Sequence, residues 1–249
     1  MIRISSMTAW RTVAWRTVAG ALAAFSAATV MAAPSHAQGA AKAVVAVLEF
    51  DNAAMVKRDE FAAMTIGVQV MLANALATNG QVQVVERQKI QEILAEQNLG
   101  TAGRLDPATA AKVGKILGAQ YVLLGAIVVD PSMEMRLAVR AVNTETSVLE
   151  YTEGVSGKGD KIFKLVDQLA SKLNDGLKLP GRRESSRSKE LGGDGPNQLE
   201  AMKAMSAARR LEEQGDVRGA ISMYQKSLAL NADLGVVRTR LAMLESKPR

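Results

Sequence analysis

The sequence predicts an α/β chain (α+β in its layout): a mixed sheet with helices packed on it, followed by a small all-α helical-hairpin module. Three observations carry that reading. Short valine-rich apolar runs at 43–50 and 121–129 have the composition of strands covered on both faces. Several stretches repeat apolar residues at three- and four-residue steps, the spacing of a helix with one dry face. One segment, 180–196, holds prolines at both ends, glycines, serines and mixed charge, and cannot bury enough apolar surface to fold.

The elements follow in order. Ala43 to Phe50 (AVVAVLEF) reads as one buried strand. From Lys57 to Asn79, Phe61, Met64, Val68, Met71, Leu72 and Leu76 line one face of an amphipathic helix, which Asn79-Gly80 stops. Gln81 to Val85 is a short strand, and Glu86 to Gln97 returns to helical spacing through Ile90, Ile93 and Leu94. Asp106-Pro107 supplies an N-cap with proline at the first helical position, for a helix that runs to Leu117 and ends at Gly118. Tyr121 to Val129 is a second buried strand. In Glu134 to Val142, Leu137, Val139 and Ala141 alternate with Arg136, Ala138 and Arg140, so one face is dry and the other wet. Val148 to Val155 follows, and Asp160 caps a last helix carrying Ile162, Val166, Leu169, Leu173 and Leu177 on one stripe. The predicted order is β-α-β-α-α-β-β-β-α, within the roughly 140 residues that suffice for one core.

The amino terminus reads as an address. Residues 1–16 carry Arg3, Arg11 and Arg16 and no acid, Thr17 to Ala33 is apolar, and Ser35-His36-Ala37 is a small-x-small triplet. This predicts a signal peptide over 1–37 and export to the periplasm. The competing reading is an uncleaved anchor, since 17 apolar residues lie at the short end of what spans a bilayer. The domains are therefore 1–37 signal peptide, 40–179 α/β domain, 180–196 flexible linker and 197–249 helical module.

Cleavage after Ala37 removes the chain's single histidine, and the chain has no cysteine. That excludes cysteine and histidine metal sites, disulfides, thiol nucleophiles and imidazole triads in the mature protein. Catalytic, cofactor and metal residues are accordingly assigned as none, and the chain is read as no enzyme. The formal charge of +6 includes the three leader arginines; residues 38–179 hold 15 basic and 16 acidic side chains. With a neutral main domain and 4% aromatic residues, no nucleic-acid partner is predicted.

The runs VAVLEFDN (45–52), VVERQKIQEILAEQNLGTAGRLDPATAAKVGKILGAQYVLLGAIV (84–128) and LAVRAVNTETSVL (137–149) closely resemble the CsgG family of curli secretion components. They are also similar to the amino-terminal domain of TolB and to outer-membrane lipoproteins that activate peptidoglycan synthases. The resemblance implies the family's α/β fold. For pore-forming members it further implies a lipidated amino-terminal Cys and two long membrane hairpins per subunit. Each such hairpin needs roughly 20 residues or more. This chain has four residues between Val129 and Glu134, four between Val155 and Asp160, and no Cys to lipidate. The expectation is the family's soluble domain without its barrel, and no integral span in the mature chain.

In 204–232, Gln214-Gly215-Asp216 joins two helices, and Ala204, Ala207, Ala208, Leu211, Ala220 and Tyr224 resemble the packing residues of one tetratricopeptide repeat. Residues 234–246 supply a further, capping helix. A lone repeat must borrow contacts from its cap, the main domain or a partner. Repeat geometry would place Met202, Met205, Arg209 and Glu212 on a concave partner-binding face; the alternative for Met202 and Met205 is core. Other features have plainer readings. Glu86-Arg87 fits a helix-start carboxylate beside an ion pair, Gly100 and Gly103 fit a helix end and turn rather than a phosphate cradle, and Arg136 and Arg140 fit cross-strand pairing with acids such as Glu150.

The expected function is that of an exported accessory or scaffold protein in curli-type secretion or cell-envelope assembly. It would bind protein partners in the periplasm, perhipheral to the outer membrane or free of it, with self-association left open. The alternative is an oligomeric outer-membrane secretion channel component.

Overall fold

The computed structural model describes residues 42–99, 105–179 and 197–246. The leader 1–37, the linker 180–196 and the Gly100–Gly103 turn lie outside the described residues. Residues 40–249 form one compact unit.

The sheet is mixed, with strand order β3-β1-β4-β5-β6. β1 (Ala43–Val47) lies parallel between β3 (Val82–Val84) and β4 (Tyr121–Val129). β5 (Glu134–Asn143) and β6 (Leu149–Lys158) continue from β4 as an antiparallel meander. The strand predicted over 43–50 is interrupted. β1 stops at Val47 opposite Leu123, and β2 (Asp51–Asn52) resumes opposite Ala126 and Ile127. Four steps along one chain thus match three along β4, which bulges the backbone. Phe50 sits at the break, 3% exposed, and its ring packs where a side chain on Gly125 would be, 2.6 Å from the position of a Cβ.

Helices α3 (Arg87–Glu96) and α4 (Pro107–Leu117) cover one face of the parallel half through Ile90, Leu94, Ala111 and Val113 against Ala46, Leu48, Val122 and Leu124. Asp106 caps α4 as predicted, accepting from the Ala108 and Thr109 amides at 3.0 and 3.1 Å, and Gly118 ends it at φ 66°. The opposite face carries α1 (Arg58–Ala62), α2 (Thr65–Ala77) and α5 (Ile162–Gly176), joined by α6 (Gln198–Glu213), α7 (Val217–Leu230) and α8 (Gly235–Glu245) in one continuous core.

Two helix predictions need correction. The helix expected over 57–79 is two helices, broken at Ala63–Met64. The Thr65 hydroxyl bonds the Ala62 carbonyl at 3.2 Å and the Glu49 carboxylate at 2.7 Å, giving the backbone a local alternative to a continuous ladder. α2 is also not amphipathic: Thr65, Gly67 and Gln69 are buried along with Val68, Met71 and Leu72, because β1 and α5 take one side and α6 the other. Taken through its break, the stretch Arg58–Ala77 is long and apolar enough to cross a bilayer, but 61% of its apolar 18-residue window is buried, as in the core of a folded domain. The last helix starts at Ile162 after a 3-10 turn (Gly159–Lys161), and its N-cap is Lys161 with no side-chain bond, not Asp160.

Beyond the reach of α3 and α4, one face of β5 and β6 lies open. Arg136 and Arg140 stand on it, exposed, opposite Ser156 and Thr152. Glu150 does not pair with them: a register shift at Ala141/Val142 turns it toward the Tyr121 hydroxyl and the Asn143 amide, at 3.2 and 2.7 Å.

Candidate functional site

The most densely built polar region is the seam between the α/β layers and helices α6–α8. Small residues let α2 and α6 approach closely. The Gly67 amide donates to the Ser206 hydroxyl at 2.9 Å, and a Cβ on Gly67 would overlap both that hydroxyl and the Met202 sulfur. Ser206 in turn donates to the Met202 carbonyl at 2.9 Å.

Beside this contact is Arg87, 7% exposed at its side chain. Its guanidinium reaches Glu213 on α6 at 2.6 Å, Glu49 at 3.0 Å and the Gln69 side-chain carbonyl. Gln69 also donates to the Val47 carbonyl at 2.6 Å. One arginine thus joins the strand edge, α2, α3 and the helical tail, using the fork of donors that lysine lacks. The ion pair expected near Glu86-Arg87 exists, with partners distant in sequence; Glu86 occupies the α3 N-cap position and makes no side-chain cap bond.

A second network centres on Glu212. It accepts from Arg209 at 3.0 Å, from the Tyr224 hydroxyl at 3.0 Å and from Arg240 on α8. Burial disfavours the Glu212 carboxylate, yet the Arg240 hydrogen bond and the charges of Arg209 and Arg240 prevail and hold its pKa below the usual value. Burial pushes the Tyr224 phenol well up, so it stays a neutral donor.

Between these networks lies a cavity of about 280 Å³. Val70, Ala73 and Ala77 of α2, Val84 of β3 and Val236 of α8 form its apolar wall, and Glu86, Arg87, Arg209 and Arg240 supply the charged groups. The Arg209 Nε–H is buried beside it, out of reach of the pocket's water-accessible space, and has no hydrogen-bond acceptor among the described residues.

The four residues predicted as a partner face are all on α6 and fall into two pairs. Met202 and Met205 are 0% and 1% exposed and belong to the shared core, so a partner reaches them only if α6 leaves α2. Arg209 and Glu212 lie at the cavity and ion-pair network, with side chains 16% and 13% exposed. Sequence reasoning did not single out Glu49, Gln69, Glu213 or Arg240. Gly67 and Gln69 inside a largely apolar helix were the available signal that α2 carries a second covered face. Among the described residues, no group of three or more His, Cys, Asp or Glu side chains is arranged to hold a metal ion.

Among solved structures, the chain is similar to the LpoB C-terminal domain from Salmonella enterica (20% identity, 47% of this chain and 84% of that one, TM-score 0.38). The LpoB C-terminal domain from Escherichia coli is similar at 19% identity (47% and 82%, TM-score 0.39). So is a PelC dodecamer from Paraburkholderia phytofirmans, at 15% identity (55% and 89%, TM-score 0.32). Among curated proteins none matches. The family model described as "Curli production assembly/transport component CsgG" matches residues 26–136, in line with the resemblance of the strand and helix motifs within that span.

Proposed function

We propose that the mature chain is a non-enzymatic, exported protein of the periplasm, free or peripheral to the outer membrane, which serves as an accessory or scaffold in curli-type secretion or envelope assembly by binding other proteins. The observation that carries this reading is the match of residues 26–136 to a curli assembly and transport family. Where the resemblance implies long membrane hairpins in pore-forming members, this chain has a tight turn between Val129 and Glu134 and a 3-10 turn at Gly159–Lys161. That favours an adaptor over a channel subunit. The tetratricopeptide-like reading of α6–α8 supports the same role, with Arg209 and Glu212 as its reachable partner contacts and the exposed Arg136 and Arg140 as a further grip for an acidic surface.

The test is residue-specific photo-crosslinking in intact cells of the native host, with the probe placed at Arg140 on the open face of β5 and at Arg218, exposed on the first turn of α7, together with osmotic-shock fractionation. The expected result is release with the periplasm and a crosslink to a distinct envelope protein. Self-linked rings of constant size, with ion conductance by the purified chain across a planar bilayer, would establish the channel instead.

A further inference from the structure

We infer that the outer edge of β6 takes an extended acidic segment of a partner protein as an added strand. The inference deepens the protein-binding role proposed above and rests on it, supplying the chemistry of the bound segment and the way it is held.

The sheet ends in two edges of unequal length. β3 offers three residues, whereas β6 offers ten, Leu149–Lys158. Along β6 the backbone groups of successive residues point alternately toward β5 and away from it. The Gly154 N–H donates to the Glu153 carboxylate at 2.8 Å, which puts Gly154, and with it Thr152 and Ser156, in the outward set. Among the described residues, no other backbone bonds the outward groups of these three. The Glu153 oxygen stands where the carbonyl of a neighbouring strand would lie. An unpaired ladder of this length is what an incoming strand completes.

Charge selects the strand. Thr152, Gly154, Ser156 and Lys158 share the open face with Glu134, Arg136, Ala138 and Arg140 of β5. Arg136 and Arg140 are exposed and make no hydrogen bond or ion pair among the described residues. Lys158 adds a third cation, Glu134 lies opposite it at the end of the ladder, and Asp51, beyond β4, is already engaged. A Cβ on Gly154 would sit 3.0 Å from the Arg136 Nε and Nη2, so this guanidinium reaches over β6 toward the free edge. Neighbouring strands share their rise, so carboxylates four residues apart on an added strand meet Arg136 and Arg140 together. An anionic lipid surface would use the arginines and leave the ladder unpaired, whereas a peptide satisfies both.

Fluorescence anisotropy on the full mature chain tests this with a dye-labelled peptide of about ten residues, the length of β6. The peptide is built of threonine, serine and valine with two glutamates four positions apart, and its control carries lysines there. The glutamate peptide is expected to bind, and the lysine peptide to bind about tenfold more weakly or not at all. Arg136→Gln combined with Arg140→Gln should weaken the glutamate peptide about tenfold and flatten its salt dependence. Ser156→Pro removes one outward N–H, keeps the bonds to β5 and both arginines, and should weaken it about tenfold or more. Circular dichroism melts verify that each variant is folded. The peptide supplies a readout independent of any variant: N-methylating one alternate set of its amides should abolish binding, and the other set should leave it within about twofold. Failure of the glutamate peptide to bind, equal loss from both methylated sets, or full binding by folded Ser156→Pro would overturn the proposal. So would arginine-dependent binding to anionic phospholipid vesicles by a chain that ignores the peptide. A peptide that fails to bind while the Arg218 probe captures an envelope protein in cells overturns the edge site alone. Binding as expected, with neither probe capturing a protein, upholds the edge site and overturns the envelope role.

Discussion

The Gly67 amide and the Ser206 hydroxyl, 139 residues apart in sequence, are hydrogen-bonded at 2.9 Å in the interior. The bond forms only because α2 has no side chain at that position and α6 has a small one. Gly67→Ala would drive a methyl into Ser206 and Met202 and should destabilise the chain by about 1–3 kcal/mol despite the better helix propensity of alanine. Ser206→Ala, which makes no clash, should cost about 1 kcal/mol. Urea unfolding of both variants checks the order; equal stability of Gly67→Ala and wild type would contradict this packing.

Arg87 predicts a different signature. Arg87→Met takes a charged donor from Gln69, from Glu49, which keeps Thr65 and Arg210, and from the partly exposed Glu213, and should cost about 2 kcal/mol, while Arg87→Lys, unable to reach all three, should fall in between. A double-mutant cycle of Arg87 with Glu213 should give a coupling energy well above the 0.2–1 kcal/mol typical of exposed pairs.

Glu212 links stability to pH. Its folded carboxyl has a pKa below the ordinary glutamate value, so the unfolded chain takes up the proton first as pH falls. The stabilisation is complete above the unfolded value and is lost as pH falls through the folded one. Glu212→Gln should therefore be less stable than wild type at neutral pH, and the difference should shrink on acidification below about pH 4.3. Thermal melts from pH 7 to pH 3 measure it.

At the sheet centre, Gly125→Ala would meet the Phe50 ring and should cost about 1–3 kcal/mol. Pairing it with Phe50→Leu should recover part of the loss, which equilibrium unfolding of the double variant would report.

Much of this fold was legible because its signals are local. The valine runs at 43–47 and 121–129, the Asp106-Pro107 cap and the alternation around Arg136 and Arg140 each depend on a few neighbouring residues. The seam was not legible, because it depends on pairs distant in sequence. Thr65 and Gln69 on one side of α2 and Gly67 on the other are positions that tolerate water, and they are dry only because Glu49, Val47 and Arg87 meet the first two and Ser206 meets the third. Likewise the periodicity of α6 marks Met202 and Met205 as one stripe without saying whether a partner or α2 covers it. The break after Val47 depends on Phe50 finding Gly125, a residue with no distinguishing local pattern.

Because the tail and the layered portion contribute to one core, a protease nick between Leu179 and Asn197 should not separate them. The two fragments would remain a single particle, melt in one transition, and after denaturation restore each other by complementation. Expressed alone, the segment ending at Leu179 would present the bare flank of α2 to water and precipitate.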